Sequence, residues 1–233
     1  MTAMSNLRSK PLFAGRIPDR IQVIKTMQGK GGKMYLVGER WFSGSLQAIF
    51  FNSGILIWIV SEIIIFLLTI KKDKKEKKTK SPDQLSIYAV MAGNIIGCLL
   101  ALFTVEYLQS DISGIAAWAG IIILYSGISF RCYAVGILKR FFTVAVKIKE
   151  GHKIIKKGPY AYLRHPAYAG SILSLLGMQL GIKSLSGFLI VLIIVILAYS
   201  YRIKVEEKTL TAYFGPEYEI YKKETKRIIP FIF

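Results

Sequence analysis

Two stretches in the C-terminal half of the chain hold its densest set of reactive, aromatic and turn residues. The first runs from Gly151 to Gly170 and contains His152, Lys153, Ile154, Ile155, Gly158-Pro159-Tyr160 and Arg164-His165-Pro166-Ala167-Tyr168. The second follows an apolar run and places Arg202 and Glu206 at i, i+4, on one face of a helix that Gly215-Pro216 ends. A guanidinium is a planar fork of donors that matches a carboxylate, which an ammonium cannot reproduce. The ring faces of Tyr160 and Tyr168 suit a cation, by ~0.5–2 kcal/mol when desolvated. A basic-aromatic belt at a membrane edge accounts generically for Arg164, Tyr160 and Tyr168. It does not account for the Arg-His-Pro order or the flanking glycines. For Arg202 and Glu206 the plain alternative is a surface ion pair on a helix leaving lipid.

Other candidates carry less. His152 and His165 are the only histidines and stand thirteen residues apart across a Gly-Pro break, so no helical two-histidine zinc site is expected. Cys98 and Cys132 have no Cys or His at metal-ligand spacing and read as small packing residues. Gly29-Lys30-Gly31-Gly32-Lys33 lacks the spacing of a phosphate loop, and no Ser or Thr follows its lysine. Glu62 and Glu106 fall within or beside apolar runs, where structural pairing is the favoured reading over chemistry.

The elements that must position these residues lie in a membrane. The chain has 233 residues, 53% of them hydrophobic, with only 2 cysteines, which excludes disorder and a disulfide scaffold. Hydrocarbon ~30 Å thick needs about 20 apolar residues as helix, because every backbone N–H and C=O must be paired inside it. Five segments are read as spans: Leu46 to Ile70, Ser86 to Leu108, Ile112 to about Leu138, Ala167 to Ile182, and Leu185 to Tyr201. Only Lys183 and Ser184 separate the last two, so they form a tight antiparallel hairpin. The expected fold is an all-α integral membrane protein of about five transmembrane helices, with a connector and a C-terminal helix outside the lipid. Its organisation divides into a basic arm over residues 1–45, three helices over 46–138, and a catalytic region over 139–233.

Charge sets the orientation. The net charge of +18 would suit nucleic acid, but in a chain this apolar it fits lysines and arginines gathered at the cytoplasmic ends of helices, and no nucleic-acid partner is expected. Residues 71–80 hold seven lysines and fall inside by the positive-inside rule, as do 139–164 and the tail after Arg202. The arm disagrees: five spans leave it outside, yet residues 1–45 hold eight Lys and Arg against two acids. No apolar core of signal-peptide length occurs in the first 30 residues, so no cleaved leader is expected.

Taken together, Gly158-Pro159-Tyr160, Arg164-His165-Pro166-Ala167-Tyr168-Ala169-Gly170, and Arg202 with Glu206-Glu207, Leu210 and Phe214-Gly215-Pro216-Glu217-Tyr218 through Tyr221 resemble the isoprenylcysteine carboxyl methyltransferase family. Arg131, Ala134 and Val135, with His152, are similar to that family's exit from its third span. The resemblance covers about residues 120–230; the first half shows no comparable match.

The resemblance implies a membrane enzyme that uses S-adenosylmethionine and methylates the carboxylate of a prenylated cysteine or a similar lipophilic acid. It implies cofactor contacts at His152, Lys153, Ile154, Ile155, Tyr160, His165, Pro166, Ala167 and Tyr168, with Glu206 at the cofactor's polar end and Arg202 on the substrate carboxylate. Ile154-Ile155-Lys156 replaces the family's usual Leu-Val-Thr, and Ala145 stands where some members place a polar contact. The physics agrees with such a site. A carboxylate is already ionised at neutral pH, so methyl transfer to it demands positioning rather than a general base or a metal. Charge is consumed as the methyl moves, so a dry site at the membrane edge favours the step. A phospholipid amine or a small thiol remains the alternative acceptor, though a nearby guanidinium favours the acid. A non-catalytic lipid-binding protein is the alternative of another class.

Overall fold

The computed structural model describes residues 45–73, 114–143 and 151–228, with 88, 90–97, 99 and 103 between them. The arm, most of the lysine run, most of the expected second span with Cys98 and Glu106, and Ala145 lie outside the described residues. Five helices are bounded: α1 Ser45–Asp73, α2 Gly114–Leu138, α3 Pro166–Gly181, α4 Leu185–Phe214 and α5 Pro216–Glu224. Single 3-10 turns occupy Lys139–Phe141 and Gly158–Ala161. Residues 90–97 are also helical.

The protein is an all-α integral membrane protein. Among the described residues three helices are long and apolar enough to cross a bilayer: Ser45–Thr69 within α1, α2, and α4. Their outward faces are apolar, with Leu56 and Leu67 of α1, Ile122 of α2, and Ile193 and Leu197 of α4 all exposed. That inverts the pattern of a protein in water and places lipid against them. The stretch expected as a fourth span is α3, whose 16 residues reach about 24 Å, less than the ~30 Å of hydrocarbon. Pro166 starts it, as the sequence predicts, and Lys183, with φ of 60°, turns the chain back at its other end. Ser184 caps α4 by accepting from the Gly187 N–H at 3.0 Å, completing the expected hairpin.

Small residues set how α2 and α3 meet. A Cβ on Gly127 would lie 2.5 Å from the Ser174 backbone nitrogen, and one on Gly177 would lie 2.5 Å from that of Leu124. Gly120 meets Gly181 in the same way, and Gly170 meets Arg131. The pairs run in opposite senses along the two helices, so α2 and α3 are antiparallel with their backbones in contact. In lipid, where apolar burial between helices gains little, such close approach is the main source of packing energy. α1 closes over this pair through Ala48 and Phe51 against Ile121, Met178 and Ile182. On the other side Leu175 packs with Val191, Val195 and Tyr199 of α4.

The 30 residues of α4 reach about 45 Å, so the helix outruns the hydrocarbon and carries its C-terminal third beyond it. Glu206 and Glu207 lie on that third, and Arg202 stands one turn before it. Gly215, with φ of 55°, breaks the helix, and Pro216 opens α5.

Candidate functional site

The connector between α2 and α3 is folded by its turns. Gly158 has φ of 57°, a backbone conformation that favours glycine, and it packs closely on the end of the Ile137 side chain. The following turn buries Tyr160 against Ala134 and Ala167, and the Leu163 N–H closes on the Pro159 carbonyl at 2.8 Å.

The C-terminal tail then holds the connector from outside. Leu163 and Lys226 form a parallel bridge, in which the Arg164 N–H donates to Lys226 O at 2.7 Å and the Lys226 N–H to Tyr162 O at 2.9 Å, and beyond it the His165 N–H donates to Arg227 O at 3.0 Å. The Tyr221 hydroxyl donates to Tyr160 O at 2.7 Å. Arg164 binds the three pieces together: its Nε donates to Glu207 Oε1 at 2.7 Å, and its Nη1 donates to the carbonyls of Lys222 and Thr225. Glu207 also receives Arg227 Nε at 3.3 Å and lies 3.4 Å from His165 Nε2. Burial pushes the phenols of Tyr160, Tyr218 and Tyr221 well above their ordinary range, so they remain neutral donors across physiological pH.

These constraints form a cleft between the connector and the C-terminal part of α4, from Arg202 to Phe214. Ten of the eleven sequence-predicted residues line it together: His152, Lys153, Ile154, Ile155, Tyr160, His165, Ala167, Tyr168, Arg202 and Glu206. Pro166 does not; it is buried at the start of α3. His152 stacks on Phe141 with ring centres 4.9 Å apart and meets Phe214 edge-on at 5.6 Å. Arg202 and Glu206 lie on one face of α4, as their spacing predicts. They are not a surface pair: Arg202 is only 3% exposed, and the Tyr168 hydroxyl bridges the two side chains. Arg202 Nε donates to that hydroxyl at 3.1 Å, and the hydroxyl donates to Glu206 Oε2 at 2.6 Å.

A second cavity adjoins the first. Its walls are mostly apolar, with Trp58, Ile63 and Phe66 of α1 facing Val90, Met91 and Ile95. Phe142, Thr143, Tyr168 and Arg202 line both spaces, so Arg202 stands where an aromatic and polar cleft meets an apolar one. Glu62 and Arg131 also line the second cavity, as a bidentate ion pair. The sequence signals Glu62 as an acid in a span and Arg131 as a break in one, but not that they meet. Nor does it assign Leu210, Phe214, Tyr218 or Tyr221 to the cleft, although all four fall within the motif stretch that carries the resemblance.

Residues 119–212 match the model of the Isoprenylcysteine carboxyl methyltransferase (ICMT) family. The chain is 36% identical over 89 residues to "Protein-S-isoprenylcysteine O-methyltransferase" of Schizosaccharomyces pombe, covering 38% of each chain. It is 30% identical over 118 residues to "Probable protein-S-isoprenylcysteine O-methyltransferase" of Oryza sativa subsp. indica, covering 50% of this chain and 62% of the relative. The matched regions thus span about two fifths to three fifths of these relatives. Among solved structures, the "eukaryotic intramembrane Ras methyltransferase ICMT" superposes with a TM-score of 0.57 at 20% identity, over 82% of this chain and 70% of the other. The fold is shared, and the resemblance to this family holds over the region that builds the cleft. The family's name describes carboxyl methylation, which requires a methyl donor, and the relatives' names describe O-methylation of an isoprenylcysteine.

Proposed function

We propose that this ICMT-like membrane protein transfers a methyl group from S-adenosylmethionine to the carboxylate of an S-isoprenylcysteine or a similar lipophilic acid, with the cleft facing the cytoplasm. One observation carries the reading: Arg202, a residue suited to grip a carboxylate, is shared by a cleft lined with aromatic and polar groups and a largely apolar cavity inside the helices. A donor and a lipophilic acceptor could then meet at a single guanidinium. In this reading residues 139–233 form the catalytic region, and 46–138 supply the far wall of the acceptor cavity through Trp58, Glu62 and Arg131.

The residues present fit the donor. Glu206 supplies a carboxylate for its ammonium end, and His152 to Ile155 line one side of the cleft. When bound, S-adenosylmethionine supplies a methyl group on a positively charged sulfur. The ring of Tyr160 in the cleft wall would lower the free energy of that charge, while Arg202 would hold the acid beside it. The acceptor carboxylate needs no proton removed, so no side chain of the cleft acts as a base. Apolar walls exclude water from the meeting point, which favours a reaction that consumes both charges. The lysine run of residues 71–80 supports the cytoplasmic side for the cleft.

The test is transfer of radiolabelled methyl to N-acetyl-S-farnesylcysteine in membranes bearing the protein, with Arg202→Ala and Glu206→Ala beside it. Base-labile label released as methanol, and lost in both variants, is the expected result. Base-stable label in lipid would move the acceptor to an amine. Neither transfer nor binding of the donor would overturn the enzyme reading.

A further inference from the structure

Tyr168 occupies a position that neither cavity explains alone. It lines both of them, and its ring is held on two sides, stacked on His165 with centres 5.6 Å apart and 8° between planes, and tilted against Tyr199 at 5.3 Å. A phenol fixed in this way cannot turn its hydroxyl away from its neighbours. The hydroxyl has one proton, which goes to Glu206 Oε2 at 2.6 Å. Arg202 is always a donor, so its Nε–H fills a lone pair of the same oxygen at 3.1 Å. The result is a directional chain, Arg202 to Tyr168 to Glu206, from the proposed acceptor anchor to the proposed donor anchor.

Resting on the function proposed above, we propose that Tyr168 is a positioning residue that couples the two sites, so that filling the donor cleft tightens the hold of Arg202 on the acceptor. With the cleft empty, the Glu206 carboxylate polarises the phenol, and the phenol oxygen draws on the guanidinium. An ammonium seated against Glu206 offsets that negative charge, the pull through the hydroxyl weakens, and Arg202 becomes a stronger partner for an incoming carboxylate. The coupling is reciprocal by linkage: the acceptor tightens the donor by the same factor.

The experiment is equilibrium binding of N-acetyl-S-farnesylcysteine to the full chain in nanodiscs, with and without saturating S-adenosylhomocysteine. That donor analogue keeps the ammonium but lacks the sulfonium, so direct attraction between sulfonium and carboxylate does not contribute. The wild-type protein is expected to bind the acceptor at least about fivefold tighter with the analogue present. In Tyr168→Phe each ligand still binds, and the ratio falls within about twofold of one. Glu206→Gln removes the charge while leaving the phenol in place; with the analogue raised until it saturates this variant, the same loss of coupling is expected, which decides the matter should Tyr168→Phe not fold. A wild-type ratio near one, or below it, overturns the inference, as does full coupling in either variant. Failure of the wild-type protein to bind either ligand overturns the proposed function instead.

Discussion

The Arg131 guanidinium meets the Glu62 carboxylate through two parallel hydrogen bonds, Nε to Oε1 at 2.5 Å and Nη2 to Oε2 at 2.8 Å, across 69 residues of chain. Arg131 Nη1 also donates to the Ala167 carbonyl at 3.2 Å, so one side chain ties α1, α2 and the first turn of α3 together. Both side chains are largely shielded, at 13% and 27% exposed, and removing one partner strands the other's charge in the cavity wall. Glu62→Ala is expected to cost about 3–5 kcal/mol, because it leaves a shielded charge without its partner. A thermal melt in detergent checks this, and the double variant Glu62→Ala with Arg131→Met should recover part of the lost Tm because no charge is left unpaired.

The antiparallel seam of α2 and α3 predicts a sharp contrast between two glycines on one helix. At Gly127 a Cβ would meet backbone on α3 at 2.5 Å, so Gly127→Ala must push the helices apart, at a cost of about 1–3 kcal/mol. At Gly136 nothing lies within 4 Å, and Gly136→Ala should be neutral or stabilise by up to about 1 kcal/mol through helix propensity. Melting temperatures of the two variants side by side decide it; equal effects would contradict the close packing.

How much of this was legible beforehand follows the reach of each signal along the chain. The Arg-His-Pro connector and the Arg202–Glu206 face are local patterns, and a period of 3.6 residues is enough to put Arg202 and Glu206 on one side of α4. The start of α3 at Pro166 and the end of α4 at Gly215 are local as well, fixed by ring geometry and a left-handed φ. The Glu62–Arg131 pair is not local. A single sequence marks each as a charge in an apolar run, but the rotation of α1 against α2 that joins them depends on packing around Phe51 and Ile121. The same holds for Arg164, a belt-like cation by type, whose acceptors Lys222 and Thr225 lie 58 and 61 residues away. Helix length is legible as well: residues 167–182 and the helix Pro166–Gly181 are both 16 residues long, because Pro166 and the turn at Lys183 bound the apolar run.

The tail's grip on the connector predicts a long-range effect on the cleft. Tyr221→Phe removes the hydrogen bond to the Tyr160 carbonyl, about 1 kcal/mol, and should weaken S-adenosylhomocysteine binding about fivefold. The three buried phenols also set a pH limit. Their folded pKa values lie above the ordinary value of 10.0, so the unfolded chain loses these protons first as pH rises. Below about pH 10 their contribution to stability is complete, and above it stability falls as the unfolded state ionises. The Tm should therefore be unaffected by these groups from pH 7 to 9 and decline beyond about 10; a decline below 9 that Tyr221→Phe abolishes would contradict it.

Arg202 gives the most demanding prediction, because the argument depends on its shape as well as its charge. A lysine at this position keeps the positive charge but replaces a planar fork with a point charge on a flexible stem. It also loses the Nε–H that now donates to Tyr168, so the guanidinium's orientation is lost along with its second donor. A charge-assisted hydrogen bond contributes about 1.5–3 kcal/mol, so Arg202→Lys should lower kcat/KM for the acceptor by about 10- to 100-fold. The affinity for S-adenosylhomocysteine should change far less, because Glu206 and the connector remain in place. Should Arg202→Lys retain full activity, charge alone would suffice at the junction of the two cavities, and the fork geometry assigned to Arg202 would be wrong.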